Sequence, residues 1–248
     1  KEIVRITYGD ALNRLDGTAG TKLTLGLLRR TAGGSGASSG ESKNFSVTVT
    51  RAEYAEQSIA SSMIGGKVAY LRVSEFIKDT PNNFSRALNQ LKEQGASGIL
   101  VDLRSNPGGD VSSAATVLDL LLPAGNTVSS RDKSGKITVE QVSKSGEIDL
   151  PVCVLVNGET YGAAEIFAAD IRDFKKGLIV GTQTAGSGTK DEAVPLSDGS
   201  AMLLPVAEYV TLSGQTFNGT GIAPDRKKEL TADQQSKFLR NRLPAGED

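Results

Sequence analysis

The chain has 248 residues, with 28 Lys or Arg against 29 Asp or Glu and a formal net charge of −1. That length suits one large domain or one domain plus a smaller one, and the charge balance offers no excess to attract nucleic acid or an anionic membrane. There is no histidine and a single cysteine, Cys153, which excludes a Ser-His-Asp or Cys-His triad, a histidine or thiolate zinc site and an internal disulfide within this chain.

Taken in chain order, Tyr8, Ala11, Leu12 and Leu15 have helical spacing, and Asp16-Gly17 closes that segment as a turn signal. Leu23, Leu25 and Leu27 fall on one face of a predicted strand, and Phe45, Val47 and Val49 alternate with Ser46, Thr48 and Thr50 in a second. Between them residues 31–42 are small and flexible in composition, so the two strands read as a hairpin with a long tip. Residues 1–58 together are too few to hold a good core alone.

From about Ile59 strands and helices alternate. Residues 67–73 read as a strand. Thr80 is the expected cap of a helix with Pro81 in its first turn and Phe84, Ala87, Leu88 and Leu91 on one face, ending at Gly95. The run 98–103 is apolar on both faces, as a buried parallel strand is. A helix over 111–122 stops at Pro123. Val152–Val156 is a further buried strand, followed by a helix over 162–175 and a strand over 178–180. This alternation predicts a layered α/β domain. Thr231 and Gln234 form a capping box ahead of an exposed, charged helix. No stretch approaches the ~20 apolar residues of a membrane span, and no charged n-region with an apolar h-region opens the chain.

Three stretches could carry chemistry. Asp102-Leu-Arg-Ser-Asn-Pro-Gly-Gly109 lies between a buried strand and a helix, where adjacent glycines expose backbone N–H groups suited either to an oxyanion hole or to a tight connection. Asn157-Gly-Glu-Thr-Tyr-Gly-Ala-Ala-Glu165 is a second strand-to-helix turn, but the residue entering the helix, Gly162, has no side chain. Gly181-Thr-Gln-Thr-Ala-Gly-Ser-Gly188 follows the next strand and matches neither a Walker loop nor a dinucleotide fingerprint.

On these residues the sequence resembles the tail-specific, or carboxy-terminal processing, peptidases of the S41 serine peptidase family over nearly its whole length. Residues 102–109 look like the family's D-L-R-x-N-P-G-G segment. Val156-Asn157 with Ala163-Ala164-Glu165-Ile166 looks like its V-N-x-x-S-A-S-A-(S/A)-E-I segment, and Gly181, Thr184, Gly186 and Gly188 fit G-x-x-T-F-G-K-G. Ser197-Asp-Gly-Ser200 and Gly221-Ile-Ala-Pro-Asp225 match two further landmarks. Asp16-Gly-Thr-Ala-Gly-Thr21 and the strands after it are similar to the second half of a PDZ domain. The resemblance implies an α/β fold with a ClpP- and crotonase-like spiral core of ββα units. It divides the chain into a partial PDZ-like region at 1–58, a peptidase-like core at 59–230 and a C-terminal helix and tail at 231–248.

The departures from the family pattern fall on its catalytic side chains. The nucleophilic serine is replaced by Gly162, the general-base lysine by Ser187, and the glutamine four residues later by Asp191, while the loop at Gly108 and Gly109 and the residue Ala163 stay in place for oxyanion or peptide binding. Covalent catalysis needs a nucleophile within reach of a base, and neither stands at the matched positions. Ser187 and Lys190 fit the string S-x-x-K, a motif that needs a helix its glycine neighbours disfavour, and Thr160 reads as a turn residue. The PDZ loop that would hold a terminal carboxylate has no counterpart before Lys1, and Gly65-Gly66 is not that loop.

The resulting expectation is an inactive family member that binds an extended peptide or an unfolded protein segment in the old active-site groove, with no metal, organic cofactor or nucleic acid. Two alternatives stay open: an active endopeptidase with a relocated nucleophile at Ser187 or Thr160, and a scaffold subunit for an active relative. The resemblance implies an extracytoplasmic place in a bacterium.

Overall fold

A computed structural model of the chain describes residues 7–30, 42–52, 57–144, 146 and 148–239. The chain falls into two units, Lys1–Glu56 and Gln57–Asp248.

In the first unit, helix α1 (Tyr8–Leu15) starts at Thr7, whose hydroxyl accepts the Asp10 N–H at the N-cap. Strands β1 (Lys22–Arg30) and β2 (Ser42–Thr50) pair antiparallel, with Leu23 opposite Val49, Leu25 opposite Val47 and Leu27 opposite Phe45. The alternation in the sequence therefore sets the register. Arg51 joins this hairpin to α1 by donating from Nε to the Leu15 carbonyl at 2.9 Å and from Nη1 to the Thr21 hydroxyl at 2.8 Å. The expected flexible tip lies outside the described residues, apart from Ser42 at the start of β2.

The second unit contains, in order, β3 (Ile59–Ile64), β4 (Val68–Val73), α2 (Thr80–Glu93), β5 (Gly98–Asp102), α3 (Val111–Leu121), β6 (Gly125–Asp132) and β7 (Ile137–Ser143). It continues through β8 (Val152–Val156), α4 (Ala163–Asp173), β9 (Gly177–Gly181), β10 (Thr189–Pro195), β11 (Ala201–Val210), β12 (Arg226–Lys227) and α5 (Ala232–Leu239). One sheet has the order β12-β9-β8-β5-β4-β3, parallel except for the β3–β4 hairpin. A second, antiparallel sheet has the order β10-β11-β6-β7.

The core lies on one face of the larger sheet. Leu71, Ile99, Val101, Val154 and Ile179 point there and meet Phe84 and Leu88 of α2, Val117 and Leu118 of α3, and Phe167 and Ile171 of α4. Phe76 and Phe167 place their rings 5.8 Å apart in this layer. The crossover helices follow from the parallel pairing, since parallel neighbours cannot be joined by a tight turn.

The opposite face is less covered than its apolar sequence predicts. Leu100, Leu155 and Val180 are half-buried and Leu178 is 53% exposed. There Asp102, fully buried, accepts the Tyr70 hydroxyl at 2.7 Å and the Arg104 guanidinium at 2.9 and 2.6 Å. Phe238 of α5 lies 4.5 Å from the guanidinium carbons of both Arg72 and Arg104. Such stacking uses the attraction of a cation for the aromatic face.

Two local expectations are corrected. Thr80 is the first residue of α2 and Asp79 occupies the cap; the Thr80 hydroxyl instead accepts the Ile77 N–H at 2.9 Å and donates to Ser58 Oγ at 2.7 Å, tying the helix start to the segment before β3. Helix α5 carries its capping box, with Thr231 N–H on Gln234 Oε1 at 2.9 Å and Gln234 N–H on Thr231 Oγ1 at 3.3 Å, yet it is not exposed throughout, because Phe238 is buried. Strands β3, β6, β7, β10, β11 and β12 have no counterpart among the elements expected from sequence pattern.

Candidate active-site groove

Three connections at the carboxyl ends of β5, β8 and β9 form the groove, and each is held by side chains of the connection itself. After β5, Asn106 is fully buried and donates from Nδ2 to the Val73 carbonyl at 2.8 Å. Its Oδ1 accepts the Gly108 N–H at 2.8 Å, and its carbonyl accepts the Tyr161 N–H at 3.0 Å. Phe76 brackets the glycines, donating its N–H to the Gly108 carbonyl at 2.8 Å and accepting the Asp110 N–H at 2.7 Å.

Both glycines are required by this packing. Gly108 and Gly109 have φ of +97° and +99°, a region side chains avoid. A Cβ at Gly108 would stand 2.9 Å from the Tyr161 carbonyl oxygen, and one at Gly109 2.3 Å from the Phe76 oxygen. The same close approach puts the Gly108 Cα side only 3.3 Å, measured from such a Cβ, from the Ala163 nitrogen. Gly108, Gly109 and Ala163 are thus neighbours in space.

The Gly108 N–H is occupied by Asn106. Those of Gly109 and Ala163 meet no acceptor among the described residues. Ala163 is the first residue of α4, whose N-terminus adds a positive field. Two open N–H groups beside a helix N-terminus can take up a carbonyl oxygen or the charge that develops on it.

After β8, Asn157 accepts the Ser105 and Glu159 N–H groups on Oδ1 at 2.8 and 3.1 Å. Thr160 is fully buried, and its hydroxyl donates to the Leu103 carbonyl at 2.9 Å while accepting the Asn157 N–H at 3.0 Å. It is a turn residue with no free path to a ligand. Tyr161 is 42% exposed beside Gly162. Gly162 caps α4 with φ +51° and ψ −113°, outside the ordinary regions. Only the Ser187 carbonyl oxygen, at 4.0 Å, comes near a Cβ built there.

The loop after β9 is joined to this turn through Glu165. That carboxylate, fully buried, accepts the N–H groups of Gly162 at 3.0 Å, Gly186 at 2.7 Å and Ser187 at 2.7 Å, and the Thr184 hydroxyl at 2.5 Å. In the sequence Glu165 stands only as part of a motif, with no hydrogen-bonding role assigned to its carboxylate. The capping-box spacing from residue 162 was the one available signal, and nothing local announces the bonds to Gly186 and Ser187.

Ser187 is exposed and its hydroxyl makes no hydrogen bond among the described residues. Lys190 lies on β10, so the S-x-x-K string does not share a helical face. Its ammonium donates to Glu140 Oε1 at 2.7 Å, which holds its pKa above the ordinary lysine value and keeps it cationic. Glu140 is held below its own usual range, first by that hydrogen bond and then by the Ser130 hydroxyl at 2.6 Å. Asp191 is exposed on β10 next to a bulge, and its carboxylate is not drawn into the groove's hydrogen bonds. No group of three or more Cys, Asp or Glu among the described residues is arranged to hold a metal ion.

The model of peptidase family S41 matches residues 67–227. The chain is 33% identical over 230 residues to the carboxyl-terminal-processing protease of Synechocystis sp., covering 90% of this chain and 51% of that protein. It is 30% identical over 231 residues to the carboxy-terminal-processing protease of Bartonella bacilliformis, covering 91% of this chain and 51% of that protein. The chain spans about half the length of the curated relatives it matches. Among solved structures, the photosystem II D1 C-terminal processing protease shares its mixed α/β fold, a parallel-sheet core beside a curled antiparallel half-barrel, with a TM-score of 0.66 and 26% identity over 86% of this chain and 57% of that one.

Proposed function

The chain belongs to peptidase family S41, and from that premise we propose that it binds an extended peptide or an unfolded protein segment in the groove between Gly109 and Gly162 without cleaving it. The observation that carries this reading is the state of three positions together. Gly162 supplies no nucleophile, Ser187 stands where a lysine base is expected, and the open N–H groups of Gly109 and Ala163 remain available. A backbone receptor for a peptide carbonyl outlasts the loss of reacting side chains, since its hydrogen bonds do not depend on them.

A relocated nucleophile draws no support from the same geometry. Thr160 is buried and fully engaged, Ser187 has no base bonded to its hydroxyl, and Lys190 is held protonated by Glu140. A Ser–Lys pair requires a neutral amine within hydrogen-bond reach. The family resemblance supports an extracytoplasmic place for the protein as part of this reading; no described helix is long and apolar enough to cross a membrane.

A second reading, a subunit that pairs with another chain, is favoured by one feature. The β10–β11 ribbon exposes Val194, Met202 and Leu204 on one face, Leu203 on the other and Leu196 in its turn, apolar side chains that a partner chain would cover.

The deciding experiment is turnover of an unstructured protein with an apolar C-terminus, run beside a Gly162→Ser, Ser187→Lys double variant. No cleavage by the natural chain and cleavage by the double variant is the expected result. Cleavage by the natural chain that Ser187→Ala abolishes would overturn the reading. A folded double variant that stays inert but still retains peptide binding would leave the binding role standing and move the defect beyond the two side chains.

A further inference from the structure

On the face of the six-stranded sheet turned away from α2, α3 and α4, a cavity of about 450 Å³ lies between the strands and the segment leading into α5. Its walls are aliphatic: Ile64, Val68, Leu100, Leu155, Val180 and Leu230 line it, and no aromatic ring among the described residues does. Leu100, Leu155 and Val180 are the residues that alternate with the helix-covered Ile99, Val154 and Ile179. Most of the polar lining groups gather where β5, β8 and β9 end, with Arg104, Asn157 and Thr182 just past those strands and Lys228 and Glu229 in the segment after β12, while Gln235 of α5 adds one more.

The charges at that end do not cancel. Arg104 is paired with Asp102 at 2.6 Å, and Glu229 with Lys227 at 2.8 Å. Lys228 has no carboxylate partner among the described residues, and its backbone N–H fixes it beside the end of β9 through the Gly181 carbonyl at 2.8 Å. One unpaired cation thus stands at the mouth of an aliphatic slot. A cavity of this size belongs to the small-ligand range, and at ~30 Å³ per non-hydrogen atom it holds about 15 of them. Walls without rings offer no stacking platform, so the match is to a flexible alkyl chain rather than to a planar ligand.

We propose that this cavity binds a single-chain aliphatic carboxylate of about a dozen carbons, with the chain against Leu100, Leu155 and Val180 and the carboxylate at Lys228. The site is separate from the peptide groove: Gly109, Gly162, Ala163 and Ser187 are absent from its lining, so it stands or falls independently of the proposed peptide binding.

The test is isothermal titration calorimetry of the whole chain with dodecanoate below its micelle concentration, with octanoate and dodecyltrimethylammonium as comparisons. Dodecanoate is expected to bind one to one. Octanoate should bind at least tenfold more weakly, because each buried methylene adds about fourfold in affinity. The alkylammonium should bind at least tenfold more weakly as well, for want of an anion to meet Lys228. Lys228→Glu, at an exposed position that leaves the fold intact, is expected to weaken dodecanoate about tenfold or more. Absence of saturable binding up to about 1 mM dodecanoate, equal binding of the anionic and cationic probes, or an affinity unchanged by Lys228→Glu would each overturn the proposal.

Discussion

Gly109 and Gly162 border the same groove and both have positive φ, +99° and +51°, yet their surroundings treat them differently. At Gly109 a Cβ would collide with the Phe76 carbonyl at 2.3 Å, whereas at Gly162 the nearest described atom beyond its neighbours in the chain is the Ser187 carbonyl oxygen, 4.0 Å away. The first glycine is imposed by packing. The second sits in open space, in a strained turn conformation that a side chain could occupy at a local conformational cost. One side of the groove therefore depends on backbone placement and tolerates no change, while the other has room for a side chain.

The sharpest way to break this comparison is to give both positions the same methyl group. Gly109→Ala is expected to destabilise the chain by about 3 kcal/mol or more, since backbone must move to clear the contact, and Gly162→Ala by about 1–2 kcal/mol from the unfavourable φ alone. Urea unfolding of the two variants measures the difference, and equal losses would show that the space at Gly162 is not real.

Glu165→Ala comes next. It strands three backbone N–H groups and the Thr184 hydroxyl, and a loss of about 3 kcal/mol is expected. Hydrogen exchange should rise at Gly186 and Ser187 while the amides around Asn106 stay protected, because the two halves of the groove are held by different anchors.

Asp170 reports on the core under α4. Burial, with a smaller contribution from Asp173, raises its pKa well above the usual carboxylate value, and Oδ2 has no hydrogen-bond partner among the described residues. The native state then holds this proton more tightly than the unfolded chain, so stability falls as pH rises from the unfolded carboxylate value toward the raised native one. Asp170→Asn removes that fall. Its Tm at pH 7 should exceed that of the natural chain by about 2–4 °C, or roughly 1 kcal/mol for this size, with the gain shrinking toward pH 4. A gain that is constant with pH would dissociate it from ionisation.

The smallest effect is expected at Lys190→Met. The Lys190–Glu140 pair is partly open to water, with side-chain exposures of 29% and 25%, and its loss should cost about 0–1 kcal/mol. Peptide affinity should not change, since Lys190 belongs to the sheet beside the groove rather than to the open amides. A large drop in affinity would bring Lys190 into the binding site.

Much of this was legible along the chain because period and pattern are local. The apolar spacing of Phe84, Leu88 and Leu91 and the run Val152–Val156 gave α2 and β8 directly. The antiparallel sheet was not legible for the same reason: β7 and β10 mix Glu, Lys and Thr with exposed Val and Ile, and their pairing is settled by partners far away in sequence. The groove divided in the same way. Gly108, Gly109 and Gly162 could be read from their neighbours, but Glu165 could not, because three of its four donors belong to a loop about twenty residues later in the chain.

Composition and local order suffice for the α/β class, for the exclusion of histidine chemistry within this chain and for the residue types at positions 162 and 187. Tertiary structure alone decided which N–H groups are open, which face of the sheet is bare and where a motif's side chains turn. Asp102 and Arg104 belong to the same segment as Gly108 and Gly109, yet they pair on the far face of the sheet, where the Arg104 guanidinium stacks against Phe238 of α5. Neighbours in sequence thereby serve opposite sides of the molecule, because β5 ends at Asp102 and the turn held by Asn106 carries the chain on into the groove.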